Sequence, residues 1–328
     1  MQNVKLLKPK SGAVVSLATR RQAGFAEFVK NADPQLIPRW MEFEKRKGRE
    51  DLSIPKPVRF EWDGGRAFLE ISENADFSDA AIAEETDPPA EIYNLKTGTK
   101  YYWRVNGGRA RSFRTADTFV RMIRAAGASN IRDVGSLRTE DGRRLKMGLF
   151  FRGTELDDHH PLTPEGRRAL HDTLGIRVEL DLRAEKPEGD VSPIGDDVRY
   201  VNMPCKTYHV FLDEKDECRA LLEFLADENN YPMYVHCQAG ADRTGTLSYV
   251  LETILGVSDE DRLADYEITS LSVWGYRRRS TPCWGWGWFM ENLDKYNGST
   301  CGERIMDFVY SCGVTDETLD KIRKIFTV

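Results

Sequence analysis

Apolar positions along this chain recur with two different periods, and the change of period divides it. From Pro57 the pattern alternates: Val58-Arg59-Phe60-Glu61-Trp62, then Ala67-Phe68-Leu69-Glu70-Ile71-Ser72. A turn at Asn94 to Thr99 leads into Tyr101-Tyr102-Trp103-Arg104-Val105, and Ser112-Phe113-Arg114-Thr115 closes the block. Short alternating strands spaced by turns predict an all-β sandwich. Ahead of it, Val14 to Leu17 reads as a strand. Residues 22–47 read as helical, with Phe25, Phe28, Val29, Leu36, Trp40 and Phe43 on one face. That segment reads as a helical insertion between the first two strands. Trp40, Trp62 and Trp103 read as core rather than contact surface.

Beyond residue 117 the pattern becomes an alternation of strands and helices. Strands are expected at 148–152, 176–182, 198–203 and 232–236. Thr163-Pro164 opens a helix ending near Gly175, and further helices are expected at 214–227, 244–255, 258–271, 289–296, 303–311 and 315–326. This predicts an α/β domain, a mostly parallel central sheet flanked by helices, with ligand bound beyond the carboxyl ends of the strands. The expected division is 1–117 for the β-sandwich with its helical insert and 118–328 for the α/β domain.

Composition narrows the classes. Forty per cent apolar residues suffice for ordinary cores, and a net charge of −6 offers no broad basic face for nucleic acid. No apolar run is long enough to span a bilayer. The first 17 residues carry no secretory h-region, so a cytoplasmic location is expected, with secretion open if a leader was removed. The six cysteines, at 205, 218, 237, 283, 301 and 312, include no C-x2-C pair and no zinc-finger spacing to histidine. Reduced thiols, no metal and no cofactor are expected. Cys205 reads as a buried small residue rather than a disulfide partner for Cys237.

One stretch carries the chemistry: His236-Cys237-Gln238-Ala239-Gly240-Ala241-Asp242-Arg243-Thr244-Gly245. An apolar strand feeds it and a helix leaves it, so the loop sits at a helix N-terminus, where backbone N–H groups favour an anion. The amides of Gln238, Ala239, Gly240, Ala241, Asp242 and Arg243 are placed to curl around phosphate oxygens. Gly240 supplies the positive φ that such a curl needs. Arg243 can grip two oxygens in a fork. A cysteine in such a field works as a nucleophile. Thr244 can offer its hydroxyl to the departing sulfur, and His236 orders the loop.

This stretch resembles the His-Cys-x5-Arg-Thr-Gly signature of the cysteine-dependent protein tyrosine phosphatase superfamily. Asn130-Ile131-Arg132-Asp133-Val134-Gly135, Phe150-Phe151-Arg152-Gly153 and Asp181-Leu182-Arg183 extend the likeness. Together these resemble the bacterial tyrosine/lipid phosphatase family, also called the tyrosine phosphatase family 3 group, over residues 119–328. The resemblance implies a phosphomonoesterase acting through a cysteinyl-phosphate, with Asp133, Arg152 and Arg183 in support. The run from Asn94 to Val105 with Phe113-Arg114-Thr115 resembles a fibronectin type III domain, which implies docking of a partner or shaping of the cleft.

The resemblance leaves the general acid open. Many relatives place an aspartate on a separate loop; here Pro204 is followed by Cys205 and Lys206, and Asp213 comes later. Lipid-directed relatives use the aspartate of Asp-Arg-Thr, which is Asp242 here. Asp181 is the third candidate, against a structural pairing with Arg132 or Arg183. Lipid-active members carry lysine where this chain has Ala241, which tilts the expected substrate toward phosphotyrosine protein, the alternative being a phosphoinositide or inositol phosphate. Arg277-Arg278-Arg279 reads as a solvated loop or as the missing charge. Trp274 and the run Cys283-Trp284-Gly285-Trp286-Gly287-Trp288-Phe289 read as a non-helical loop packed on the body, or as an aromatic wall of the cleft. A phosphate-binding module without turnover would require a missing acid, and a thiol-dependent arsenate reductase would require relay cysteines.

Overall fold

The computed structural model describes residues 4–31, 33–37, 39, 50–184, 191–205, 212–279 and 286–327. Trp40, Phe43, the stretch 206–211 and Cys283-Trp284-Gly285 lie outside them.

The N-terminal region contributes β1 (Leu6–Lys8), β2 (Ala13–Val15), β3 (Val58–Trp62), β4 (Ala67–Ser72), β5 (Ala80–Thr86), β6 (Ala90–Ile92), β7 (Lys100–Val105) and β8 (Arg111–Thr115). They form one sheet ordered β1-β3-β6 and another ordered β2-β8-β7-β4-β5. Alternation in β3 points Val58, Phe60 and Trp62 inward. Their core is aromatic: Phe60 meets Trp103 edge-on at 5.2 Å and Phe113 at 5.6 Å. Trp62 and Trp103 are buried, as their positions in the alternation require.

Between β2 and β3 runs α1 (Arg20–Asn31). Its buried Phe25 and Val29, together with Ile37 and Leu52, belong to the hydrophobic core of the C-terminal region rather than to that of the two sheets. A boundary at residue 117 therefore cuts through a shared core.

The C-terminal region contributes β9 (Arg121–Met122), β10 (Arg132–Asp133), β11 (Phe150–Gly153), α2 (Pro164–Arg168), β12 (Val178–Asp181), β13 (Arg199–Asn202), α3 (Lys215–Leu225), β14 (Met233–His236), α4 (Arg243–Ile254), α5 (Asp259–Ile268), α6 (Trp286–Leu293), α7 (Cys301–Ser311) and α8 (Asp316–Phe326). The sheet order is β13-β12-β14-β11-β10-β9. Its first four strands are parallel, and β10 and β9 add antiparallel strands at one edge. The α/β domain with flanking helices and the preceding all-β region with an inserted helix are thus the architecture. Thr163 caps α2 by accepting from the Gly166 N–H, with Pro164 at the first position. β14 is buried along its length between β12 and β11 and ends at His236, while α4 begins at Arg243. The sheet centre thus delivers the loop 237–242 to a helix N-terminus.

One expectation is corrected. Trp286 to Phe289 are helical, not a loop: α6 spans them despite Gly287. Buried Phe289 and Leu293, four residues apart, give that helix its inner stripe, and Phe289 packs edge-on against Tyr249 at 6.3 Å. Among the described residues no helix is long and apolar enough to cross a membrane.

Because Phe25 is fully buried in the C-terminal core, Phe25→Ala should cost about 3–5 kcal/mol of that region's stability. Urea unfolding followed by loss of the α/β domain's helical signal checks this. A change confined to the β-region would contradict the shared core.

Candidate active site

The loop after β14 is polarised by its surroundings. His236 Nδ1–H donates to the Cys237 carbonyl at 3.0 Å, and the Glu155 N–H donates to that of Gln238 at 3.0 Å. Asn130 Nδ2 donates to the carbonyls of Ala239 (3.2 Å) and Gly240 (3.3 Å), and Arg152 Nη2 donates to those of Gly240 (2.9 Å) and Ala241 (3.3 Å). The Asp242 carbonyl accepts from the Thr246 N–H at 2.8 Å and from its hydroxyl at 3.0 Å. Every carbonyl from Cys237 to Asp242 is therefore drawn away from the loop's inner face. The amides of Gln238 to Asp242 donate to no protein acceptor among the described residues. Successive N–H groups turned inward make an anion-binding concavity, and the start of α4 adds its own field.

Gly240 permits this path. Its φ is +60°, and a Cβ there would lie 1.9 Å from the Gly153 carbonyl oxygen. Cys237 and Arg243 stand at the two ends of the loop, both buried, at 3% and 4% exposure. Thr244, in the first turn of α4, has a buried hydroxyl with no hydrogen-bond partner among the described residues.

Behind the loop lies a charged layer that the sequence reading did not identify. Asp265 on α5 accepts from Arg132 Nε at 2.6 Å and from Arg152 Nη1 at 2.7 Å, all three side chains being buried. Burial alone would raise the Asp265 pKa, but the two guanidinium groups outweigh it and hold the carboxyl below the usual range. Arg132 also holds Asn130 through its Oδ1 at 2.7 Å. Asn130 itself has φ +60°, and its N–H donates to Ser53 Oγ at 3.0 Å, a contact from the N-terminal region. Glu252 on α4 faces the same cluster, and burial with the Asp265 charge pushes its pKa well up.

Arg152 is thus a brace for the loop backbone. Asp133 braces a different place: it accepts from Arg121 at 2.7 Å and from the N–H groups of Gly135 (3.0 Å) and Gly148 (2.7 Å). Arg183 binds Asp181, Glu155 and Asp157, each at 2.8 Å.

The acid candidates separate by their surroundings. Asp181 is buried, chelated by Arg183 and receives the Tyr200 hydroxyl at 2.8 Å. Arg132 does not pair with it but with Asp265. Burial opposes ionisation of Asp181, yet the charges of His236 and Arg183 and the Arg183 hydrogen bond keep its pKa low. That arrangement suits an orienting carboxylate, not a proton donor. Asp213 is exposed and forms no hydrogen bond or ion pair among the described residues. Asp242 lies in the loop itself. Its Oδ1 accepts from Tyr266 Oη at 3.1 Å and Arg277 Nε at 3.1 Å, and its Oδ2 accepts from Arg277 Nη2 at 3.1 Å.

Arg277 belongs to a fixed arm, which corrects the reading of 277–279 as a solvated loop. Ser270 Oγ accepts from the Arg277 N–H at 2.8 Å and donates to its carbonyl at 2.9 Å. Arg278 reaches Gln35 at 2.9 Å, and Arg279 reaches Glu267 at 2.6 Å and the Val29 carbonyl at 2.9 Å. The outer wall is aromatic. Trp274 meets the rings of His159 at 5.9 Å and His160 at 5.3 Å, and His159 touches Gln238 at 3.3 Å.

His236 is fully buried between Glu179 Oε1 at 2.9 Å and the Cys237 carbonyl. Burial alone would lower its pKa, but the Glu179 hydrogen bond and the Asp181 and Glu179 charges push it up to about 9. A raised pKa makes the charged histidine a source of stability that is complete below its ordinary range and lost as pH climbs through about 9. We expect urea-unfolding stability to fall by about 3 kcal/mol between pH ~6 and ~10, and His236→Gln to flatten that slope. A second expectation concerns the loop: if it works on a phosphoryl group, Gly240→Ala, whose Cβ meets the Gly153 carbonyl, should lower turnover of para-nitrophenyl phosphate at least about a hundredfold through misplaced amides. Retained turnover would show that the loop path tolerates a side chain.

A family model and a curated relative agree with this geometry at the level of superfamily. Residues 123–282 match the model of a family described as "Tyrosine phosphatase family". A chain from Cupriavidus necator, named as a tyrosine-protein phosphatase, H16_A0669, is 27% identical over 42% of this chain and 59% of its own length. The present chain thus spans about three fifths of that relative. Among solved structures, the core catalytic domain of the PP-IP phosphatase SIW14 from S. cerevisiae, in complex with citrate, aligns at TM-score 0.34 and 14% identity, over 47% of this chain and 85% of that one. With a cysteine loop set at the end of a central parallel strand, residues 123–282 are a cysteine-dependent protein tyrosine phosphatase superfamily domain.

Proposed function

We propose that this protein hydrolyses phosphate monoesters through a cysteinyl-phosphate on Cys237, and that its substrate carries more than one phosphate, as an inositol phosphate or phosphoinositide does. The polarised loop supports the chemistry. Its inward amides, with the Arg243 guanidinium at the end of the loop, suit the oxygens of a phosphoryl group in transfer, where positioning and charge stabilisation supply most of the catalysis. The thiolate of Cys237 attacks phosphorus; the S–P bond forms as the ester P–O bond breaks, and a carboxyl group protonates the departing oxygen. Water then attacks phosphorus, gives its proton to that carboxylate, and releases inorganic phosphate and thiolate. Asp242 is the carboxyl group assigned here, because it alone of the three candidates combines a place in the loop with a side chain at its rim. Thr244 serves the sulfur as it leaves.

The preference for a polyphosphorylated substrate rests on Arg277. Ala241 leaves the loop without a lysine, but the anchored arm restores a guanidinium one residue further on, against Asp242. The Trp274–His160 wall supports a second reading, phosphotyrosine protein, since an aromatic leaving group can pack there. The all-β region is assigned a docking or cleft-shaping role.

Initial rates on a phosphotyrosine peptide, a phosphoserine peptide, a phosphoinositide and soluble inositol phosphates test this ordering. We expect the inositol-based substrates to lead in kcat/KM by at least about tenfold, Cys237→Ser to abolish turnover of all, and acid quenching to trap phosphate on sulfur. A lead for the phosphotyrosine peptide would establish the second reading. Turnover surviving Cys237→Ser would remove the mechanism.

A further inference from the structure

The ion pair at the loop rim presents a problem for the reaction it borders. Both oxygens of Asp242 are occupied: one by Arg277 Nε and the Tyr266 hydroxyl, the other by Arg277 Nη2, all at 3.1 Å. A carboxylate clasped in this fork has no oxygen turned to a leaving group. Arg277 is placed there deliberately by the fold, because Ser270 fixes its backbone on both sides. Arg278 and Arg279 are in turn fastened to Gln35, Val29 and Glu267, so the arm cannot drift away. Release of Asp242 therefore has to come from a turn of the Arg277 side chain itself.

We infer that Arg277 is a positioning residue that withholds Asp242 from proton transfer in the resting site, and that a second phosphate on the same substrate draws the guanidinium off and frees the carboxyl to act. This rests on the assignment of Asp242 as the acid. The exchange is favourable in kind. A phosphate dianion offers the planar guanidinium the same two-point contact as the carboxylate, with more charge. The groups around Asp242 are Arg277 on the arm, Tyr266 on α5, Arg243 and Cys237 on the loop, and Arg152 behind it at the Ala241 carbonyl. Of these, only Arg277 is carried by neither the loop nor the helix and strand beneath it, and its side chain is mostly buried, at 12% exposure. Discrimination then arises twice from one contact: a monophosphate binds but meets a clasped acid, whereas a bisphosphate both binds tighter and unclasps it.

The experiment compares para-nitrophenyl phosphate, whose leaving group needs little protonation, with an inositol monophosphate and a vicinal inositol bisphosphate. In the unmodified protein the bisphosphate should exceed the monophosphate in kcat by about tenfold. In Arg277→Gln the ratio of monophosphate kcat to para-nitrophenyl phosphate kcat should rise about fivefold, while the bisphosphate KM rises about tenfold. Arg277→Lys keeps the charge without the fork and should fall between the two, so it serves if the glutamine variant folds poorly. A monophosphate-to-nitrophenyl ratio unchanged or lowered in both variants overturns the proposal. Asp242→Asn identifies the other failure: if it slows the inositol substrates no more than para-nitrophenyl phosphate, the acid assignment is wrong, whatever Arg277 does.

Discussion

The anion loop owes its shape to one buried carboxylate. Asp265 binds Arg132 and Arg152 together, and those two arginines hold the loop from behind, one through Asn130 and the other directly. A loop that must turn its amides inward has to dispose of its carbonyls, and each buried carbonyl left unpaired would cost about 1–3 kcal/mol. Charged donors do this better than neutral ones, because their hydrogen bonds are stronger and they cannot switch to accepting. The inner face is thereby left with N–H groups only. Cys237 and Arg243 then stand at the two ends of a loop already oriented by the protein.

The N-terminal region enters the same construction at several points. Ser53 receives the Asn130 N–H, Leu52 donates its N–H to the Leu271 carbonyl at 2.8 Å, and Gln35 and Val29 fasten the arginine arm. Asp51 in turn holds Ser53, accepting its hydroxyl at 2.6 Å. The helical insertion therefore does more than decorate a sandwich. It closes the core above α5, the helix that carries Asp265 and Tyr266, so the loop's floor and its rim both depend on residues far ahead of it in sequence.

Much of this was legible in the residues, and the parts that were not share a cause. Period-two alternation located β3, β4, β7 and β8, and the signature around Cys237 located the strand, loop and helix, including the positive φ of Gly240, because these are local properties of backbone and burial. Short edge elements escaped: β9 and β10 are two residues each, too brief for any period. Partner choice escaped as well. Asp265 sits in an acidic helical stretch with Asp259, Glu260 and Asp261, and nothing local separates the buried carboxylates, Asp265 and Glu267, from those nearer solvent. The triple arginine looked solvated for the same reason: Glu267, Gln35 and Asp242 meet it only through tertiary folding. Glycines next to tryptophans argued against a helix at 286–289, but burial of Phe289 and Leu293 outweighs the propensity cost of about 1 kcal/mol for Gly287.

A buried cluster of two arginines and one aspartate is costly, since desolvation of each ion is repaid only by good geometry and complete hydrogen bonding. Apolar residues of similar volume would avoid that desolvation but would leave the Gly240 and Ala241 carbonyls without their Arg152 donor. The cluster makes sense only through what it does to the loop: apolar side chains cannot draw the carbonyls of Gly240 and Ala241 backward. Without that pull the loop's amides would not all face inward, so the buried charges supply the geometry that an anion above the loop requires.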